Sequence, residues 1–119
     1  EAPVHQNVKD AIVAATELYT RLVMRPPRNT ERVLLNEPAK RLLAKEAALG
    51  ASIKFEDIID EVAGVYPRIM TEGLMESGVW SCGMVAGLIH DVPTVKELID
   101  TIMRDADAII RQRFAGFVG

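Results

Sequence analysis

The residues most able to do chemistry cluster in one run, Gly78-Val79-Trp80-Ser81-Cys82-Gly83-Met84-Val85-Ala86-Gly87-Leu88-Ile89-His90-Asp91-Val92-Pro93. It holds the only Trp and the only Cys of the chain. Gly83 and Gly87 are four apart, so on a helix they share one face. A face that bare admits either a close backbone neighbour or a flat ligand, and close packing is the commoner reason for glycine inside a helix. Cys82 has no basic residue beside it in sequence, which points to a small buried thiol rather than a nucleophile. The two His residues, His5 and His90, stand at no recognisable spacing from a Ser or Cys partner. His5 is expected to be solvated or to cap the first helix. Arg25 and Arg28 flank Pro26-Pro27 and could contact an anion from a stiff loop, though two solvated arginines are the commoner case. The carboxylates of Glu56, Asp57, Asp60 and Glu61 fall on one helical face and are expected to be hydrated, with no metal site. No Walker-type loop and no GxGxxG after a strand is present.

The elements that must position these residues are mostly helices. A chain of 119 residues is one domain at most, and 49% hydrophobic with 26% charged residues is a globular composition. The net charge of −3, with both signs interleaved, gives no nucleic-acid footprint. One Cys makes no internal disulfide, so a cytoplasmic setting is expected. No apolar run approaches the ~20 residues of a membrane span. The chain begins Glu1-Ala2-Pro3 without an initiator Met, as a processed product or a piece of a longer protein would.

Apolar spacing predicts a helix over residues 4–18. Residues 19–25 alternate, with Leu22 and Met24 on one side and Arg21, Val23 and Arg25 on the other, which predicts one short strand ended by the prolines. No second strand is apparent, so either its partner lies in another chain or in further sequence, or the segment is not a strand. A short helix is expected over residues 31–35, capped by Asn29 or Thr30. The next opens at Asn36-Glu37-Pro38 and stops at Gly50. A third, over residues 55–63, turns Phe55, Ile58, Ile59 and Val62 inward. A short one runs from Tyr66 to near Gly73, and a loop leads into the Trp80 run. Thr94-Val95-Lys96-Glu97 is a capping box that starts a helix over residues 95–113. Its apolar residues Val95, Leu98, Ile99, Ile102, Met103, Ala106, Ile109 and Ile110 form one stripe. Residues 114–119 read as a small apolar tail. Composition and spacing alone support a mostly helical globular domain and identify no activity.

Three stretches, in this order, resemble one family: Glu1-Ala2-Pro3-Val4-His5-Gln6-Asn7-Val8-Lys9, then Met24-Arg25-Pro26-Pro27-Arg28-Asn29-Thr30, then the run from Gly78 to Pro93. The chain looks like the C-terminal third of the FMN-dependent nitronate monooxygenases (2-nitropropane dioxygenases) and their relatives the NADH:quinone reductases. The resemblance covers essentially the whole chain, and Trp-Ser-x-Gly-Met followed by Gly-Leu-Ile-x-Asp is its most specific part.

The resemblance implies a mainly α piece of a TIM-barrel (β/α)8 parent. Residues 1–93 would be a helical lid-like region with one short strand, and residues 94–119 the terminal barrel helix. It implies FMN in the intact protein and chemistry on alkyl nitronates, or quinone reduction with NAD(P)H. The family's catalytic His and its FMN-phosphate loops would lie upstream. Ser81, Gly83 and Met84 would contact cofactor, and Trp80 and Met24 would line a substrate pocket. Met84 stands where relatives commonly carry Gln, Cys82 where they carry Ala, and the double proline is atypical. The isolated chain is expected to be inactive and to bind no cofactor alone, its partner being the rest of a flavin barrel or a second copy. The competing expectation is a stand-alone helical association module that self-assembles through exposed apolar faces.

Overall fold

A computed structural model describes residues 1–117. By its internal contacts the chain divides into two units, Ala2–His90 and Glu1 together with the residues from Asp91 onward.

The first unit begins with helix α1, Gln6–Val13, capped by His5, whose Nδ1 accepts from the Asn7 N–H at 3.1 Å. The helix is shorter than its apolar spacing suggests. Ala15 is buried beyond its end, and a turn in which the Thr16 hydroxyl accepts from the Leu18 N–H replaces the last expected turn. Strand β1, Thr20–Val23, follows. Its partner is in the same chain: β2, Glu31–Leu34, pairs with it antiparallel, Thr20 opposite Leu34 and Val23 opposite Glu31. This corrects two expectations, the helix over residues 31–35 and the search for a partner strand elsewhere. The reason is burial on both faces. Val33 and Leu34 are neighbours and both buried, so the apolar residues of β2 do not alternate with polar ones. The alternation of β1 is also incomplete: Val23 and Met24 are both buried, Leu22 is exposed, and Met24 turns into the left-handed region at φ 55°.

Helix α2, Glu37–Leu49, has Asn36 as its cap and Pro38 in its first turn, as expected. Asn36 also donates from Nδ2 to the Met75 and Gly78 carbonyls at 2.9 and 2.8 Å, so one buried amide starts a helix and anchors the loop before Trp80. A 3₁₀ turn, Gly50–Ser52, leads to α3, Phe55–Val62, and α4, Val65–Met70. On α3, Phe55 and Ile59 are exposed rather than inward. Glu61 departs most from expectation. It is 4% exposed, not on a hydrated face. Lys45 Nζ lies 3.0 Å and Arg41 Nε 3.5 Å from its two carboxylate oxygens. A single helical wheel could not show this, because both cations come from α2.

Two cores result. Val8, Ala15, Leu34, Val65, Ile69 and Trp80 belong to the first, joined by Cys82 and Ala86. Val23, Val33, Leu42, Ile53, Ile58 and Val79 belong to the second, with Met24 and Ala39. Neighbours in sequence enter different cores, Val33 and Leu34 in β2 and Val79 and Trp80 before the site, as extended backbone requires.

The second unit is built on α5, Val95–Ala115, with Thr94 and Glu97 forming the expected capping box. The helix runs two residues further than expected. Val118 and Gly119 of the expected tail lie outside the described residues. Val95, Leu98, Ile99, Ile102, Met103 and Ile109 are about half exposed or more, and no residue of α5 is buried. Among the described residues no helix is long and apolar enough to cross a membrane.

Two outcomes follow from these contacts. Glu61→Ala removes the acceptor of two cations from a buried place, and is expected to lower stability by about 2 kcal/mol in chemical denaturation. The Thr94 backbone N–H and then its hydroxyl hold the Glu97 carboxyl below its ordinary range. A lowered carboxyl pKa stabilises the cap above its unfolded value, and the effect is lost as pH falls through the folded value. Relative to its intrinsic rate at each pH, exchange of the Leu98 N–H, bonded to the Thr94 carbonyl at 3.0 Å, is therefore expected to quicken on acidification. Thr94→Ala should quicken it already at neutral pH and flatten its acid dependence.

Candidate functional site

The Trp80 run is positioned by backbone pairing. The Leu34 N–H donates to the Trp80 carbonyl at 3.2 Å, and the Cys82 N–H to the Arg32 carbonyl at 3.0 Å. Ser81 stands opposite Val33 in an antiparallel bridge. Residues 80–82 thus run along β2 as a short third strand would. Just before them the Val79 N–H donates to the Glu61 carbonyl at 2.8 Å. The run then leaves the sheet and forms a 3₁₀ helix, Met84–Leu88, with Gly83 at its start. The expected α-helical face shared by Gly83 and Gly87 is therefore not formed.

The two glycines have different reasons. A Cβ on Gly87 would lie 2.4 Å from the Glu17 backbone nitrogen and 2.9 Å from its Cα, so the α1–β1 turn occupies that space. This is close packing. A Cβ on Gly83 would meet only Val85 Cγ1, at an ordinary 3.7 Å. Gly83 is exposed, as are Met84, Val85 and Leu88.

Ser81 has polar partners that the sequence did not suggest. Its N–H donates to the Tyr66 hydroxyl at 2.9 Å, and the two hydroxyls are 2.5 Å apart. Its own hydroxyl donates to Glu31 Oε1. Tyr66 to Ser81 to Glu31 is a chain of donors ending on a carboxylate, which tethers α4, β2 and the Trp80 run. No spacing links positions 31, 66 and 81, so only the fold reveals it. The Ser81 hydroxyl is accordingly engaged within the protein.

Residues 80–83, together with Ile12, Val85, Ala86 and Ile89, line a cavity of about 220 Å3. Trp80 is 2% exposed, and its indole Nε1 has no hydrogen-bond partner among the described residues. A buried donor left unmet costs about 1–3 kcal/mol. Cys82 is a buried free thiol, and burial pushes its pKa up, so it stays protonated near neutral pH.

The remaining sequence candidates lie apart from this cavity. Met24 is buried in the second core and does not line it. Arg25 and Arg28 are exposed at the proline turn, where the Arg28 N–H donates to the Arg25 carbonyl at 3.0 Å and Arg28 adopts φ 60°. No carboxylate pairs with either among the described residues. No group of three or more His, Cys, Asp or Glu side chains among the described residues could hold a metal ion.

No family model matches the chain. Its structure is similar to that of FabK from Thermotoga maritima, with a TM-score of 0.82 at 24% sequence identity, over 97% of this chain and 35% of FabK. A mutant of the same FabK matches with a TM-score of 0.74 at 23% identity, over 97% of this chain and 32% of the mutant. Likeness at this identity shows a shared fold. The chain spans about a third of the length of these structures.

The contrast between the glycines is testable. Gly87→Ala is expected to destabilise the chain by about 1–3 kcal/mol, because backbone must move. Gly83→Ala should change stability by less than about 0.5 kcal/mol, as an exposed site with room for a methyl does. Thermal or urea unfolding of the two variants gives the comparison.

Proposed function

We propose that this chain is the C-terminal portion of an FMN-dependent oxidoreductase that acts on alkyl nitronates or reduces quinones with NAD(P)H. Residues 1–93 serve as its lid-like region and residues 94–119 as the terminal barrel helix. The observation that carries this reading is the opening of the Trp80 run at Gly83 and Met84, the positions at which the resemblance places cofactor. The fold shared with a third of FabK supports a role as part of a larger protein. Gly83 lets a planar group approach the backbone. Met84, 60% exposed, offers an apolar and polarisable surface to it. Ser81 contributes mainly by holding this segment to β2 through Tyr66 and Glu31, since its hydroxyl already has partners. FMN, when bound, supplies the redox chemistry, and the protein orients it and shapes the pocket. The isolated chain lacks the other walls of such a site and is inactive by itself. Arg25 and Arg28 are the anion contacts of this reading, at an exposed turn.

A second reading has its own observation. Among the described residues the apolar stripe of α5 stays exposed, with no residue of that helix buried, and stripes of this kind attract a partner. If no barrel covers it, the chain works as an association module built of copies of itself.

One experiment separates these readings. The purified chain, mixed with FMN and passed through gel filtration with light scattering, is expected to emerge without flavin absorbance. The same sequence within its longer natural polypeptide should retain flavin. Flavin retained by the 119-residue chain contradicts inactivity alone, and absence of flavin from the longer polypeptide contradicts the oxidoreductase reading. A monomer at high concentration contradicts the association module.

A further inference from the structure

The connection between β1 and β2 carries a side chain that its own backbone disfavours. The Asn29 N–H donates to the Met24 carbonyl and the Arg28 N–H to the Arg25 carbonyl, each at 3.0 Å. These are the two bonds of a Schellman turn, which put Arg28 at the position that goes left-handed. It does so, at φ 60°. Glycine is the usual residue there, because a Cβ is strained in that region. Met24 is also left-handed, at φ 55°, but its side chain is buried in the second core and so has a packing reason. Arg28 has no such reason, since it is exposed. The other two arginines of the hairpin are engaged, Arg21 with the Leu18 and Thr20 carbonyls and Arg32 with the Thr20 hydroxyl. Neither Arg25 nor Arg28 has a carboxylate partner among the described residues. A strained residue that the fold itself does not require marks a function.

Arg25 belongs to the same turn. A bond between residues three apart brings their Cα atoms within ~7 Å, so two long cationic side chains start close together, on either side of the stiff Pro26-Pro27. Glu31, the nearest carboxylate in sequence, is taken: its Oε1 accepts from the Ser81 hydroxyl and lies 3.5 Å from the Tyr66 hydroxyl. Residues 20–34 hold four arginines and one carboxylate in a chain of net charge −3. The turn is therefore a basic point on an acidic molecule. It also stands near the Ser81 tether, because three residues of extended chain, from Arg28 to Glu31, span at most about 11 Å.

We propose that Arg25 and Arg28 together bind a phosphate dianion, both guanidinium groups donating to its oxygens. Two cations without a carboxylate partner match two negative charges, and the planar fork of each fits a pair of phosphate oxygens. This gives a ligand class to the anion contact of the oxidoreductase reading, and rests on that reading for its place in the whole protein. The binding itself needs no flavin.

The test follows the Nε resonances of Arg25 and Arg28 in the ¹³C,¹⁵N-labelled chain, read through their non-exchanging δ protons. Salt is held at about 0.15 M, so that charges more than ~8 Å apart are largely screened. At about pH 7, above the second pKa of about 6 of a phosphomonoester, methyl phosphate is expected to move both resonances together and to saturate. Dimethyl phosphate, a diester with a single charge, should bind about fivefold more weakly, as loss of one net hydrogen bond implies. Arg25→Gln and Arg28→Gly should each weaken methyl phosphate binding about tenfold. Arg28→Gly should also raise the midpoint of urea unfolding, because glycine relieves the left-handed residue. Arg21→Gln removes a charge from the same hairpin and should change affinity by less than about twofold. Inorganic phosphate tells the source: equal affinity points to the free ion and weaker affinity to the ester of an organic ligand, and both support the proposal. A shift that never saturates overturns it, as does a diester bound as tightly as the monoester. A loss in Arg21→Gln equal to that in Arg25→Gln, or a lower urea midpoint in Arg28→Gly, overturns it too. Failure of these titrations leaves flavin retention by the longer polypeptide untouched, and the converse holds.

Discussion

A strand buried on both faces must still satisfy its backbone along both edges, and β2 meets that demand with segments distant in sequence. One edge is taken by β1, and the other by residues 80–82. Unmet backbone groups between two cores would each cost about as much as a lost buried hydrogen bond. The position of the Trp80 run is therefore set by the strand it must complete. Pairing also fixes which way each side chain goes. Leu34, Trp80 and Cys82 enter one core, and Val33 and Val79 enter the other. The bulky indole is seated by the same register that brings Ser81 to Tyr66 and Glu31.

Much of the helical content was legible because its signals are local. Asn36 with Pro38, and Thr94 with Glu97, mark helix starts by hydrogen bonds that span three residues. Strand β2 was not legible, because burial on both faces erases the alternation by which a strand is recognised. Glu61 was misplaced for a related reason. Its surroundings are set by Lys45 and Arg41 on another helix, and spacing within α3 holds no trace of them. At Gly87 the close-packing expectation holds, although the neighbour is a turn and the local helix is 3₁₀ rather than α.

The candidate site divides along the same line. That Trp80, Ser81, Cys82 and Gly83 belong together was visible from their adjacency, and the structure brings them to one cavity. That Met24 lies in the other core, and that Tyr66 and Glu31 hold Ser81, depends on strand register and could not be read from one stretch. The exposed stripe of α5 shows the opposite case. Its helical period was plain, while what it packs against is not encoded in the helix itself.

Native-state amide hydrogen exchange addresses the pairing of β2 most directly. If both edges form one cooperative unit, the Leu34 and Cys82 amides should be slowed, relative to their intrinsic rates, by the same factor as the Leu35 amide, which is bonded to the Tyr19 carbonyl at 2.8 Å on the β1 side. Exchange of Leu34 and Cys82 at rates typical of exposed loops, while Leu35 stays protected, would mean that the Trp80 run is not held by the sheet.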